Sequence, residues 1–152
     1  MFANVRSTDA QAENLFTNAV NGDRNPDNSN RWAANSGGYP RWIEVDLGEE
    51  CDLEILNIHW FISGTRAYQY RVYGRTTPIT NWNSPYATNY NFANDSNYTL
   101  LADRSSNTIH TETVDDLSGK SARYVVINVT GTYPTANQGN ASIRSLEVSG
   151  MK

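Results

Sequence analysis

The chain has 152 residues, a charged fraction of 18%, a net charge of −4 and a pI near 5.1. That length suits one domain with a real core, and an acidic balance without any basic run excludes nucleic acid and an anionic membrane surface as partners. Asn, Ser, Thr, Gly and Tyr take the place of charge. The surface is therefore polar through hydrogen bonding, which suits sugar hydroxyls better than phosphates and is a poor match for a strongly anionic polymer, although one well-placed arginine overrides net charge.

Met1 opens directly onto polar sequence with no signal-peptide pattern, and the chain reads as a single domain, 1–152, excised from a larger protein. No stretch approaches the roughly 18 apolar residues of a membrane span. The only predicted helix covers residues 12–20, where Leu15, Phe16, Ala19 and Val20 share one side and Asn21-Gly22 stops it. Strands are predicted over 42–47, 53–61, 68–73, 98–102, 110–114, 123–129 and 143–148. The clearest are Trp42-Ile43-Glu44-Val45-Asp46-Leu47, Arg123 to Val129, and Ile143 to Val148, which alternate apolar and polar residues with a period near two. Strands at this density between turn-rich loops predict an all-β fold, an antiparallel β-sandwich or jelly roll. Residues 76–97 form a long, aromatic-rich stretch without a period, either a functional loop or a flap packing Trp82, Tyr86, Tyr90 and Phe92 onto the sandwich. Cys51 stands alone among acidic neighbours, so no internal disulfide is possible and the thiol reads as inert.

The order of these segments resembles the discoidin-type domains (the coagulation-factor C-domain fold, galactose-binding-domain-like), and within them the family 32 carbohydrate-binding modules. Asn18-Ala19-Val20-Asn21-Gly22-Asp23 followed by Arg31-Trp32 resembles the opening "NA-apolar-DG-polar…TRW". Trp42 to Gly48 matches "W-I-x-V-D-L-G", Ala122-Arg123-Tyr124-Val125 matches "ARYV", and Ser142 to Val148 stands where "SIxEIxV" belongs. The resemblance implies a non-catalytic sugar-binding module that anchors a larger secreted or surface enzyme to a polysaccharide or glycan, without fixing the ligand, since relatives bind galactosides, glucosamine-type sugars, uronic acids, phospholipid or collagen. The missing cysteine pair points to the bacterial, extracellular sugar binders, monomeric and joined to other domains. The other reading is an adhesion domain whose loops recognise a protein.

A protein holds a pyranose by laying an aromatic ring under its C–H face and setting planar donors around its hydroxyls. Arg66 falls where family members often carry a sugar-binding arginine; the other reading is a surface arginine paired with a carboxylate. His59 ends a strand and points away from the core, toward solvent or the site rim, whereas Trp60 points inward. Tyr133 is the candidate platform, or a packing prop, with Asn137 and Gln138 as hydroxyl partners. Tyr39 belongs to a third loop, and Trp32 and Trp42 that bracket it are assigned to the core. The resemblance also implies a structural Ca2+ held by Asn18, Asn21, Asp23, Asp27, Asn30 and Ser145. Asn21 and Ser145 stand where the family has carboxylates, which weakens a hard-cation site, and a metal-free loop held by Asx-turns is the other reading. An enzyme is not expected. Glu44 and Asp46 share a strand face, but Glu49-Glu50 and Asp115-Asp116 read as solvated turn charge, and no nucleophile elbow, phosphate loop or paired-His motif is present.

Overall fold

Two strands of twenty residues or more carry the architecture, β3 (Arg41–Trp60) and β6 (Glu112–Tyr133), paired antiparallel along most of their length. The computed structural model describes residues 2, 4–23, 30–35, 37–135 and 139–152. The first half of β3 pairs with β1 (Asn4–Ser7), and its second half pairs with β7 (Ser142–Met151), which in turn holds the short β2 (Trp32–Ala33). The second half of β6 pairs with β4 (Ala67–Arg75), which carries β5 (Thr99–Arg104) at the edge. The strand order is β2-β7-β3-β6-β4-β5, with β1 beside β3. The fold is an antiparallel β-sandwich in which β3 and β6 serve both layers. Each bends at a glycine of positive φ, Gly48 (φ 91°) and Gly119 (φ 77°), a backbone region that side-chain-bearing residues avoid.

Ile43, Val45, Val125, Ile127 and Val129 meet Leu56, Ile58, Trp60 and Leu146 in the main core. Trp60 stacks on Tyr68 at 4.9 Å and donates its indole N–H to Thr113 Oγ1 (2.9 Å), whose hydroxyl also hydrogen-bonds Tyr70 OH (2.8 Å). Trp60 and Trp32 are fully buried, as predicted. Trp42 is equally buried but on the opposite face of β3, in a second cluster with Tyr73, Phe92, Tyr98 and Val126. Residues 76–97 build that cluster, so this stretch is the packed flap. Trp42 donates to the Ala87 carbonyl (3.2 Å), and Arg6 Nη1 donates to the Trp82 carbonyl (3.0 Å) while its guanidinium lies 4.4 Å from the Trp82 ring.

Three expectations are corrected. The helix predicted over 12–20 is a 3-10 turn, Phe16–Val20. Gln11 N–H donates to the Ala33 carbonyl and Ala33 N–H donates to the Asn14 carbonyl, so β2 holds the backbone that a helix would need. Residues 42–47 and 53–61, like 110–114 and 123–129, are parts of single bent strands, because Gly48 and Gly119 bend the chain without ending it. Asp115 is buried, not solvated: it accepts from Tyr70 OH (2.8 Å) and pairs with Arg104.

Candidate functional site

Three connections meet at one end of the sandwich. The residue before β2 is Arg31, the turn from β3 to β4 runs from Phe61 to Arg66, and the approach to β7 supplies Gly139 and Asn140. Hydrogen bonds to backbone carbonyls fix them together: Phe61 N–H donates to the Ser142 carbonyl (3.3 Å), Ala34 N–H to the Ala141 carbonyl (2.9 Å), and Ser142 Oγ to the Trp32 carbonyl (2.8 Å). Between them lies a cavity of about 200 Å³ lined by Arg31, Phe61, Arg66, Gly139, Asn140 and Ser142.

The Arg31 guanidinium sits 4.1 Å from the Phe61 ring, a cation–π contact that braces both side chains. Burial lowers the Arg31 pKa, Tyr68 raises it, and Arg144 and Arg66 lower it further; an arginine still keeps its charge. Arg66 donates from Nη1 to Tyr68 OH (3.5 Å), and Tyr68 OH donates to the Asn140 carbonyl (3.2 Å). Its guanidinium lies against Gly139 so closely that a β-carbon there would occupy the same space. Glycine at 139 is therefore a condition for where Arg66 sits.

A second cavity of about 380 Å³ adjoins, lined by Gly37, Gly38, Tyr39, Gln69, Thr130, Gly131, Thr132 and Thr135. Tyr39 connects the two, because its hydroxyl donates to the Gly139 carbonyl. Burial pushes the Tyr39 hydroxyl well above the usual phenol range and raises that of Tyr68, so both remain donors near neutral pH. Thr132 Oγ1 is buried with no partner among the described residues. Arginine forks, amide, hydroxyls and one ring around small, open cavities are the equipment for a polyhydroxylated ligand.

The family model for the F5/F8 type C, NedA-like, galactose-binding domain matches residues 18–127, well over half of the chain. The chain belongs to this family. A comparison with curated proteins finds no match. Solved structures of similar fold include chitosan-binding module 1 of a chitosanase/glucanase from Paenibacillus sp. IK-5, at 18% identity and a TM-score of 0.72, covering 97% of this chain and 94% of that one. The module CpGH89CBM32-4 produced by Clostridium perfringens gives 20% identity and a TM-score of 0.70, with 97% and 94% covered. The family 32 module of AlyQ gives 19% and 0.70, with 98% and 95% covered. At these identities the likeness establishes the fold, the discoidin-type sandwich of family 32 carbohydrate-binding modules.

On this galactose-binding-domain scaffold the predicted site residues separate. Arg66 and Tyr39 stand at the paired cavities, and the described partners of Arg66 include no carboxylate. His59 lies in the β3–β7 ladder opposite Ser145, its Nε2 3.5 Å from Glu112 Oε1, and lines neither cavity. Tyr133 is half exposed and pairs with Ala67, so strand alternation turns it from the face that carries Tyr68 and Thr132. Asn137 and Gln138 lie outside the described residues. Arg31, Phe61, Gly139 and Asn140 were not singled out as site residues, although Phe61 opens the candidate loop of Arg66 and Gly139 and Asn140 close the candidate loop that contains Tyr133.

For the cation, Asn21 Nδ2 donates to Asn30 Oδ1 (2.8 Å), and Asn21 Oδ1 accepts from Asp23 N–H (2.9 Å), an Asx-turn. Asn18 Nδ2 donates to the Arg31 carbonyl (3.2 Å), and Ser145 Oγ to Glu147 Oε1 (3.5 Å). Asp27 lies outside the described residues. Among the described residues no group of three or more His, Cys, Asp or Glu is placed to hold a metal. Among the described residues the oxygens that gather here are one carboxylate, Asp23, and neutral amides bonded to each other, a sparse set for a hard cation.

Proposed function

We propose that the chain is a non-catalytic carbohydrate-binding module that holds a sugar end or short glycan motif in the paired cavities, tethering a larger extracellular bacterial enzyme to its polysaccharide. The observation that carries this reading is the convergence of Arg66, Arg31, Asn140 and Tyr39 with the Phe61 ring at the loop end of a family scaffold. Phe61 supplies the apolar surface for a pyranose face, the arginine forks address neighbouring hydroxyls, and the Thr130–Thr132 wall offers room for a second ring.

Proteins of this fold carry bound sugars. Chitosan-binding module 2 from the Paenibacillus enzyme is in complex with chitotriose, the Clostridium perfringens module with GlcNAc-α-1,4-galactose, and the AlyQ module with 4,5-unsaturated mannuronic acid. The strand carboxylates take no part in the cavities. Glu44 is held by Arg6 and Tyr98, and Asp46 accepts from Arg123 Nε (2.9 Å) and Nη2 (3.1 Å). Two facing carboxylates, which a glycosidase requires, are not part of this reading.

Cavities of this size hold one or two rings, for an affinity of about 10 μM to 1 mM. Binding of the isolated domain to a broad glycan array tests the reading. A sugar hit is expected, weakened about 10- to 100-fold in Arg66→Ala, with Tyr133→Ala changing it little. Silence across the array from a folded domain would replace the sugar by a protein partner.

A further inference from the structure

Five of the ten arginines pair with a carboxylate among the described residues, and Arg75 donates to the Thr77 and Pro78 carbonyls. Arg6 pairs with Glu44, Arg41 with Asp9, Arg71 with Asp103, Arg104 with Asp115 and Arg123 with Asp46. Arg66 differs. Among the described residues it contacts Tyr68, through a long 3.5 Å bond to the hydroxyl and a 5.8 Å approach to the ring, and its Nε is buried with no hydrogen-bond partner among them. A desolvated guanidinium N–H without an acceptor is costly unless something supplies one.

The surroundings add charge of the same sign. Arg31 lines the same cavity, and Arg144, from β7, lies close enough to act electrostatically on Arg31 together with Arg66. No carboxylate among the described residues lines the cavity. In a chain of net charge −4, two arginines from separate loops therefore line one small opening, with Arg144 within electrostatic reach of one of them. Neutral sugars give such a cluster hydroxyl acceptors only; a planar carboxylate meets the guanidinium fork with two parallel bonds.

We propose that this cavity selects a sugar bearing a carboxylate, with the carboxylate seated on the Arg66 fork beside Arg31 and the ring against Phe61. This rests on the carbohydrate reading above and names the ligand class for it. Asn140 and the Tyr68–Asn140 bond set the cavity wall, so the acid group enters at the arginine side while hydroxyls face the adjoining threonine-lined cavity.

Calorimetric titration of the full chain with oligogalacturonate and oligomannuronate, each beside its carboxyl-reduced neutral counterpart, tests the proposal. The acidic oligosaccharides are expected to bind about 10- to 100-fold more tightly than the reduced ones, with the preference shrinking as salt rises. Arg66→Ala is expected to abolish the preference. Gly139→Ala, whose added methyl takes the space of the Arg66 guanidinium, is expected to do the same in a chain that keeps Arg66; circular dichroism of both variants establishes that they are folded. Equal or tighter binding of the neutral sugars would overturn the acidic preference and leave the carbohydrate reading standing. Tighter binding of a sulfated oligosaccharide would overturn the carboxylate assignment. Binding of no sugar of either kind, here and on the glycan array, would overturn both.

Discussion

Glu44 is fully buried, its Oε2 2.7 Å from Arg6 Nε and its Oε1 accepting from Tyr98 OH at 2.6 Å. Burial lifts its carboxyl above the ordinary 4.5, and Arg6 and Tyr98 offset that only in part. The folded chain therefore holds this proton more tightly than the unfolded chain. The group's contribution to stability is full below pH 4.5 and is lost as pH rises through the folded value. Glu44→Gln removes the charge; its carbonyl oxygen can still accept from Arg6, and its NH2 can donate to the Tyr98 oxygen with the Tyr98 proton turned to Tyr86, while Arg6 keeps the Trp82 carbonyl and the Trp82 and Tyr86 rings. Urea unfolding should place this variant within about 1 kcal/mol of the parent near pH 4.5, with a difference that moves in the variant's favour as pH rises. Glu44→Leu strips the acceptor from two buried donors and should cost about 3–5 kcal/mol. A Gln variant that follows the parent's pH dependence would show that another group titrates there.

At the scale of elements, the loop from Asn21 to Asn30 tests how far a family feature survives substitution. Its described oxygens are Asp23 and two amides that hold one another, so we expect calcium to raise the melting temperature only at about 0.1–1 mM or above, the range of weak extracellular sites. Asn21→Asp adds a carboxylate and should lower that concentration; micromolar binding by the parent would mean a richer donor set than these residues give. The same contrast between local pattern and distant partner explains what was legible. Period-two alternation located every long strand, since one buried face leaves its imprint on neighbouring residues. It divided β3 and β6 in two because a bend and an end look alike at Gly48 and Gly119. It missed β1, where Arg6 reads as a solvated charge until Glu44 and Trp82 close over it. Arg66 and Tyr39 were reachable through their loops, whereas Phe61 read as a strand end, because its role depends on Arg31, thirty residues earlier in the chain.

The whole molecule divides its labour between two aromatic assemblies on different surfaces of one sheet system. The flap of residues 76–97 forms the second core, in which Phe92 is nearly fully buried and meets Trp42 (5.9 Å), Tyr73 (5.7 Å) and Tyr98 (5.1 Å). None of these four residues lines either cavity at the loop end. Stability and recognition should therefore respond to different substitutions. Phe92→Ala removes the ring around which the cluster packs and should destabilise the fold by about 3–5 kcal/mol, a large share of the roughly 5–15 kcal/mol by which domains are stable. Sugar affinity measured well below the variant's melting temperature should stay within about twofold of the parent, as expected for distant, uncoupled sites. Arg66→Ala should give the opposite result, lost affinity with an almost unchanged denaturation midpoint. A Phe92→Ala protein that is folded yet binds sugar tenfold more weakly would show that the flap positions the loop end through β3, and the two assemblies would then be one device.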